Sequence, residues 1–145
     1  MTQPNPPRSL EAHLPHRGTM LLLTAIIGRS ADTFTASVSI TPAAAFYVPG
    51  SGVPAYAGLE YMAQTIAAGD GSQRLDNNLL PEVGFLLGSR RYHAVQDYFK
   101  DGDCLIIRVK NVFTAEGMAA FDCTIHVDDR LCAEATLNVY RPQSA

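Results

Sequence analysis

The stretch PAYAGLEYMAQTIAAG, residues 54–69, has the composition of a buried helix. Pro54 suits the first turn of a helix, where a missing N–H removes no hydrogen bond. Gly69 is a typical C-terminal stop. Small side chains fill most of the surface between them, and one stripe at helical spacing is larger and apolar: Leu59, Met62, Ala63 and Ile66. We therefore predict a helix from Pro54 to Ala68 that its neighbours cover nearly all round.

Candidate strands lie on both sides of this helix. Before it, Met20–Gly28 is apolar except for Thr24. Thr33–Ile40 alternates between apolar and small polar residues with the period of two that is typical of a half-buried strand. After a predicted loop over residues 70–82, four more candidates follow in close succession: Val83–Tyr92, Asp103–Phe113, Met118–Val127 and Arg130–Tyr140.

The last two candidates predict a hairpin joined by a tight turn at Asp128-Asp129. Alternation within them assigns one set of side chains to the interior: Phe121, Cys123, Ile125 and Val127, then Leu131, Ala133, Ala135, Leu137 and Val139.

The order of elements is two strands, one long apolar helix and four strands, which predicts an α+β fold. A single helix that is apolar all round is best buried by an antiparallel sheet of about six strands wrapped around it. Residues 1–145 then form one domain, with residues 1–9 as a loose arm. Because one helix cannot cover six strands fully, we also predict pairing with a second copy.

Composition argues against several classes of function. The net charge is −3 and the sequence has no run of Lys or Arg, which argues against nucleic acid as the main partner. The longest apolar run, Met20–Ile27, is too short to span a bilayer, and residues 1–8 do not resemble a secretory signal. The three cysteines have no metal-ligand or redox spacing, so we expect no metal site and a reduced, cytoplasmic protein.

Glu60 is the only charged side chain between Thr33 and Gly69. A carboxylate in apolar surroundings is costly unless it is paired, hydrogen-bonded or neutralised. None of its neighbours at helical spacing is cationic, so no local ion pair satisfies it. Two interpretations remain open: a structural group that bonds loop backbone or reaches solvent at an oligomer seam, or a general acid–base catalyst.

Two other segments could carry chemistry. His16 lies in the run Leu14-Pro15-His16-Arg17 and is either a turn residue or a proton shuttle, since imidazole titrates near neutrality. The glycine-bearing loop 48–54 delivers backbone N–H groups to the start of the Glu60 helix. Such groups, together with the helix dipole, can stabilise an oxyanion.

These motifs resemble the 3-hydroxyacyl-acyl carrier protein dehydratases, and especially the divergent branch of aryl polyene and related pathways. The resemblance covers about residues 10–140 and is carried, in order, by LPHR at 14–17, MLLL at 20–23, LEYMAQ at 59–64, GFLLG at 84–88 and GDCL at 102–105. It implies a hot-dog fold, in which a sheet wraps round one helix and dimerises into a continuous sheet.

The resemblance also implies which residues form the site. Glu60 matches the helix carboxylate of the dehydratase site, whereas Tyr47 of Tyr47-Val48-Pro49-Gly50 stands where the family has its catalytic His. Because a tyrosine is a poor base at neutral pH, we predict that His16 takes over as the base. The positions that we expect to bind substrate are Tyr47, Gly50, Ala55, Tyr56, Gln64 and Phe85.

The sequence thus favours an enzyme that dehydrates a 3-hydroxyacyl thioester to the trans-2-enoyl thioester. The acyl group would arrive on the phosphopantetheine arm of an acyl carrier protein or on coenzyme A, with no other cofactor. We expect a homodimer or higher even oligomer, with a heterodimer with a related dehydratase as a further possibility. Two alternatives stay open: a non-catalytic acyl-binding partner subunit of a heteromeric dehydratase, and a hot-dog thioesterase in which Glu60 activates water.

Overall fold

The structure is a computed structural model that describes residues 21–76 and 86–140, with side chains described for residues 21–69 and 91–140. Its one described helix, α1 (Ala57–Asp76), has 20 residues. Residues 61–68 are all buried, including the polar Gln64 and Thr65, which agrees with a helix that its neighbours cover nearly all round. No helix in the described ranges is both long and apolar enough to cross a membrane.

Six strands form one antiparallel sheet in the order β1-β2-β6-β7-β8-β4. Their bounds are β1 Ala25–Arg29, β2 Thr33–Ser39, β4 Leu86–Ala94, β6 Cys104–Ala115, β7 Met118–Val127 and β8 Arg130–Tyr140. Two short strands, β3 (Val53–Pro54) and β5 (Tyr98–Phe99), pair as a separate ribbon just before α1. The predicted α+β architecture of about six strands and one helix is confirmed.

The helix packs on one face of this sheet, against β2, β6, β7 and β8. The core residues on these strands recur every second position along most of their length, as a sheet with one buried face requires. Large and fully buried side chains lie at the centre of the contact: Met62, Leu105, Ile107, Ile125 and Leu137. The sheet and the helix therefore share one core.

The predicted ends of the helix were wrong at both termini. Pro54 is the last residue of β3, where it pairs with Tyr98, so α1 begins at Ala57. At the other end α1 continues through Gly69 to Asp76, across part of the predicted loop. Gly69 does not stop the helix but lets it approach β2 closely, because a Cβ there would lie 3.1 Å from the ring of Phe34.

The hairpin β7–β8 has the predicted bounds, but one side chain points the other way. Leu131, predicted to be interior, is 38% exposed, while Cys132 is fully buried. The cause is a β-bulge: Ile125 pairs with Ala133 but His126 pairs with Leu131, which leaves Cys132 as the extra residue. One inserted residue reverses the alternation on that side of the bulge.

Candidate active site

Ala55 lies two residues before α1, and hydrogen bonds hold both its N–H and its carbonyl oxygen. Its backbone N–H donates to the carbonyl oxygen of Asp97 at 2.8 Å. Its carbonyl oxygen accepts a hydrogen bond from the hydroxyl of Tyr92, on β4. One turn further on, the ring of Tyr61 packs on Phe99 of β5 with centroids 6.2 Å apart. The helix start is therefore fixed to two neighbouring strands.

Gly58 makes the Tyr92 contact possible. A Cβ at this position would overlap the Tyr92 hydroxyl oxygen and would lie 3.0 Å from Cδ1 of Ile125. Burial raises the pKa of Tyr92 to about 12, and the nearby Tyr61 adds to the rise. Burial likewise raises the pKa of Tyr61 to about 12. Both phenols therefore stay protonated at neutral pH, and Tyr92 stays a hydrogen-bond donor.

Glu60 lies in the first turn of α1 and is half-buried. Its Oε1 accepts a hydrogen bond from Nε2 of Gln64, one turn later, at 3.3 Å. This hydrogen bond fixes the direction of the carboxyl group relative to the helix. Partial exposure also keeps the carboxyl group accessible to a ligand or to water.

Gln64 connects Glu60 to the chain segment before β1. Its side chain is fully buried, and its Oε1 accepts the backbone N–H of Leu22 at 2.9 Å. Because the oxygen of the amide is engaged by Leu22, the NH₂ group is directed to Glu60. Gln64, which we predicted to bind substrate, thus holds the Glu60 carboxyl group in this structure.

The first turn of α1 is tight. Its i→i+3 bonds run from Gly58 N–H to the carbonyl oxygen of Ala55 at 3.0 Å and from Leu59 N–H to that of Tyr56 at 3.3 Å. Among the hydrogen bonds of the described residues, none is donated by the N–H of Tyr56 or Ala57. Unpaired N–H groups at the positive end of a helix dipole are suited to an anionic oxygen.

The loop before β3 is held by backbone hydrogen bonds within the loop and packs closely against β5. Val48 and Gly52 exchange backbone bonds of 2.7 and 3.0 Å around Gly50, whose φ of 82° is in the left-handed region. At Gly52, a Cβ would overlap the carbonyl oxygen of Phe99, so only glycine allows this approach. Tyr47, at the start of the loop, is half-buried and packs against the core.

Four of the predicted site residues lie within ten positions at the start of α1: Ala55, Tyr56, Glu60 and Gln64. Tyr47 and Gly50 lie in the loop before β3, whereas His16 and Phe85 fall outside the described residues. The sequence reasoning missed Tyr92. Gly58 inside a helical pattern was the available sign of a close contact, but nothing local names its partner. Among the described residues, no three His, Cys, Asp or Glu side chains converge as a metal site.

Comparison with known proteins identifies the family. A family model described as ApeP dehydratase, of the ApeP-like family, matches residues 8–145. A 42-residue segment is 45% identical to the 3-hydroxyacyl-[acyl-carrier-protein] dehydratase FabZ of Psychrobacter arcticus, covering 29% of each protein. The chain thus aligns with less than a third of the length of that curated relative.

Solved structures show the same fold. A chain of the dehydratase heterocomplex ApeI:P from Xenorhabdus doucetiae matches with a TM-score of 0.84 and 22% identity, over 93% of this chain and 91% of that one. The E. coli PaaI protein of the phenylacetic acid degradation operon matches with a TM-score of 0.58 and 15% identity, over 81% and 82%. At these identities the likeness shows the fold alone, which is the predicted hot-dog fold. The family match confirms the predicted resemblance: this chain belongs to the ApeP-like family of hot-dog dehydratases.

Proposed function

We propose that the chain dehydrates a 3-hydroxyacyl thioester to the trans-2-enoyl thioester and water. Membership of a dehydratase family supports this reaction class. The observation that carries the proposal is the half-buried Glu60 carboxyl group, which Gln64 orients. It lies one turn from the N–H groups of Tyr56 and Ala57, which donate to none of the described residues. The β-elimination of a 3-hydroxyacyl thioester needs a base for the C2 proton, an acid for the leaving hydroxyl and a site for the developing oxyanion, and the helix start offers the last two.

In this mechanism the thioester carbonyl oxygen lies at the N–H groups of Tyr56 and Ala57. Negative charge develops on that oxygen when the C2 proton leaves, and the helix dipole stabilises it. Ala55 is among the positions that we expected to bind substrate, but its N–H is already donated to the carbonyl oxygen of Asp97. Ala55 therefore acts through its carbonyl side, as part of the peptide group that it shares with Tyr56.

The proton transfers complete the reaction. His16 takes the C2 proton as the C2=C3 double bond forms, and the Glu60 carboxyl group gives its proton to the C3 hydroxyl as the C3–O bond breaks. Water leaves, and exchange with solvent returns both groups to their starting states. A well-placed acid or base contributes about 10² to 10⁴ in rate, so each group should account for a large part of the acceleration.

The substrate would be carried on a phosphopantetheine arm, either of an acyl carrier protein or of coenzyme A, in fatty acid or polyene biosynthesis. In the family the base and the acid come from different subunits, so we propose that the active form is a homodimer, a higher even oligomer or a heterodimer. The similar fold of a chain in the ApeI:P dehydratase heterocomplex supports the last of these.

A second candidate function is a non-catalytic acyl-binding subunit that completes the site of a partner dehydratase. Tyr47 favours this alternative, because it stands where the resemblance implies a catalytic His and its side chain packs against the core. Such a subunit would keep Glu60 and the helix start but would turn over no substrate alone.

One assay separates these functions. The purified full-length chain is incubated with 3-hydroxyacyl and trans-2-enoyl thioesters, and the enoyl thioester, the 3-hydroxyacyl thioester and free thiol are quantified. We expect interconversion of the two thioesters without thiol release. Release of thiol would indicate a thioesterase, and the absence of any reaction would favour the partner subunit.

The identity of the base needs its own test. We expect His16→Ala to lower kcat by about 10² to 10⁴, whereas Tyr47→Phe should change kcat much less, because Tyr47 would only line the acyl site. The double variant His16→Ala with Glu60→Gln should be little worse than either single variant, since the two groups act as one unit. His126→Ala, on β7, is the matched control. Loss of activity in Tyr47→Phe with His16→Ala fully active would contradict the assignment.

A further inference from the structure

The peptide group between Ala55 and Tyr56 is engaged on one side only. Its carbonyl oxygen accepts two hydrogen bonds, one from the N–H of Gly58 at 3.0 Å and one from the hydroxyl of Tyr92. Its N–H, which belongs to Tyr56, has no partner among the described residues. The carbonyl oxygen of this amide therefore has two donors, while its N–H donates to none of the described residues.

The geometry of a trans peptide connects these two ends. The C=O and N–H bonds of one planar amide point in opposite directions, so a donor that fixes the carbonyl also fixes the direction of the N–H. Hydrogen bonds in a chain also polarise one another, so that a donor at the carbonyl makes the N–H of the same amide a stronger donor. The Tyr92 hydroxyl therefore strengthens whatever bond the Tyr56 N–H makes.

We propose that Tyr92 is a positioning residue for the dehydration: its hydroxyl orients and polarises the Ala55–Tyr56 peptide, whose N–H binds the thioester oxygen. Tyr92 does not touch substrate in this account. The inference rests on the proposed function, because it adds a residue to the oxyanion site of that reaction.

Three further features support this assignment. Residue 58 is glycine, and any larger side chain there would displace the Tyr92 hydroxyl from its acceptor. The carbonyl oxygen of Asp97 accepts the N–H of Ala55, so the segment 92–97 makes hydrogen bonds to both the N–H and the carbonyl oxygen of Ala55. Burial also holds the pKa of Tyr92 at about 12, which keeps the hydroxyl a donor throughout the range in which an imidazole base works.

The kinetic test compares two Tyr→Phe variants. We expect Tyr92→Phe to lower kcat by about 10-fold, less than the loss of a direct oxyanion donor, with little change in KM. Tyr98→Phe is the matched control, because Tyr98 lies on the neighbouring strand β5 and is 36% exposed. Its kcat and KM should equal those of the wild type.

A spectroscopic test needs no turnover. In ¹H–¹⁵N spectra of the full chain, the amide proton of Tyr56 should move upfield in Tyr92→Phe and keep its position in Tyr98→Phe. Gly58→Ala should move the same resonance in the same direction. The double variant Gly58→Ala with Tyr92→Phe should move it little further, because both changes remove the same hydrogen bond, the one from the Tyr92 hydroxyl to the Ala55 carbonyl oxygen.

The outcomes separate this inference from the proposed function. An active wild type whose Tyr92→Phe variant keeps full kcat, or keeps the Tyr56 amide resonance in place, overturns the inference alone. A wild type without any turnover overturns the proposed function. An active wild type with a slowed Tyr92→Phe variant and a shifted Tyr56 amide supports both.

Discussion

The first turn of α1 and its middle turns are held by different forces. Residues 55–60 are positioned by individual hydrogen bonds and by one glycine contact with Tyr92. Residues 65–69 are positioned by packing: Ile66, Ala67 and Ala68 are buried, and Gly69 lies on Phe34. The hydroxyl of Thr65 donates within the helix, to the carbonyl oxygen of Tyr61 at 2.8 Å.

This difference separates function from stability along a single helix. Polar groups that point out of the first turn remain accessible, as the half-exposed Glu60 does. Apolar side chains in the middle turns remove surface from water and account for most of what the helix contributes to folding. Variants at the start should therefore change activity, and variants in the middle should change the free energy of unfolding.

The largest effect is expected at the helix start. Glu60→Gln keeps the size of the side chain and removes the transferable proton, so kcat should fall by about 10² to 10⁴, while the thermal unfolding temperature should stay close to that of the wild type. Glu134→Gln is the control, since Glu134 is an exposed glutamate on β8. A Glu60→Gln variant that unfolds would mean that the carboxylate is a structural group after all.

The middle of the helix should respond in the opposite way. Ile66 is only 3% exposed, so Ile66→Ala should lower the free energy of unfolding by about 2 to 5 kcal/mol through lost burial and a residual cavity. Val112→Ala, at a 49% exposed position on β6, should cost far less. Denaturant titration measures both values. The comparison fails if Ile66→Ala is as stable as the wild type.

Gln64 belongs to both regions, so changing it should lower both the activity and the free energy of unfolding, each to a smaller extent. Gln64→Met keeps the volume but removes the acceptor of the Leu22 N–H and the amide that donates to Glu60. The free energy of unfolding should fall by about 1 to 3 kcal/mol, and kcat should fall with it. Thr65→Val, the buried neighbour, should leave kcat unchanged. Equal kcat values in Gln64→Met and the wild type would show that the amide does not orient Glu60.

At neutral pH the smallest effect belongs to three buried ionisable groups, whose contribution to stability changes only in alkaline solution. Burial, with a lesser effect from Asp122, raises the pKa of Cys123 from 9.0 to about 12, and burial raises those of Tyr61 and Tyr92 from 10.0 to about 12. The unfolded chain thus loses these protons first. The contribution of these three groups to the free energy of unfolding should be constant below about pH 9 and fall above it, by about 1.4 kcal/mol per pH unit for each ionising group.

Variants assign this pH dependence to particular groups. Cys123→Ala should move the start of the fall from near pH 9 to near pH 10, because only the two phenols then remain. The free energy of unfolding measured from pH 8 to 11 decides this. A flat profile up to pH 11 in the wild type would contradict the burial of these groups.

Much of the fold could be predicted because it depends on patterns that repeat along the chain. The period of two located both strands of the β7–β8 hairpin, and continuous apolarity located the helix. Leu131 was assigned to the wrong face because a β-bulge depends on cross-strand pairing, which no local pattern contains. Gly69 was misread for a similar reason, since a glycine chosen for close packing and one chosen as a helix stop look the same in sequence.

The candidate site was harder to predict. Glu60 was found because it is the only charge in an apolar segment, and Gln64 because it is part of the family motif. Tyr92 was not found, since its role depends on a contact between β4 and the helix start that only the folded chain creates. Single hydrogen bonds of this kind leave no periodicity in the sequence.

The most direct test of the central claim, that Glu60 donates a proton to the leaving hydroxyl, changes the leaving group. The elimination rates of a 3-hydroxyacyl and a 3-chloroacyl thioester are measured with the wild type and with Glu60→Gln, above the spontaneous rate. Chloride leaves without a proton, so Glu60→Gln should lose about 10² to 10⁴ in kcat with the hydroxyl substrate and far less with the chloro substrate. Equal losses with both substrates would contradict the claim, because Glu60 would then act before or apart from the departure of the hydroxyl.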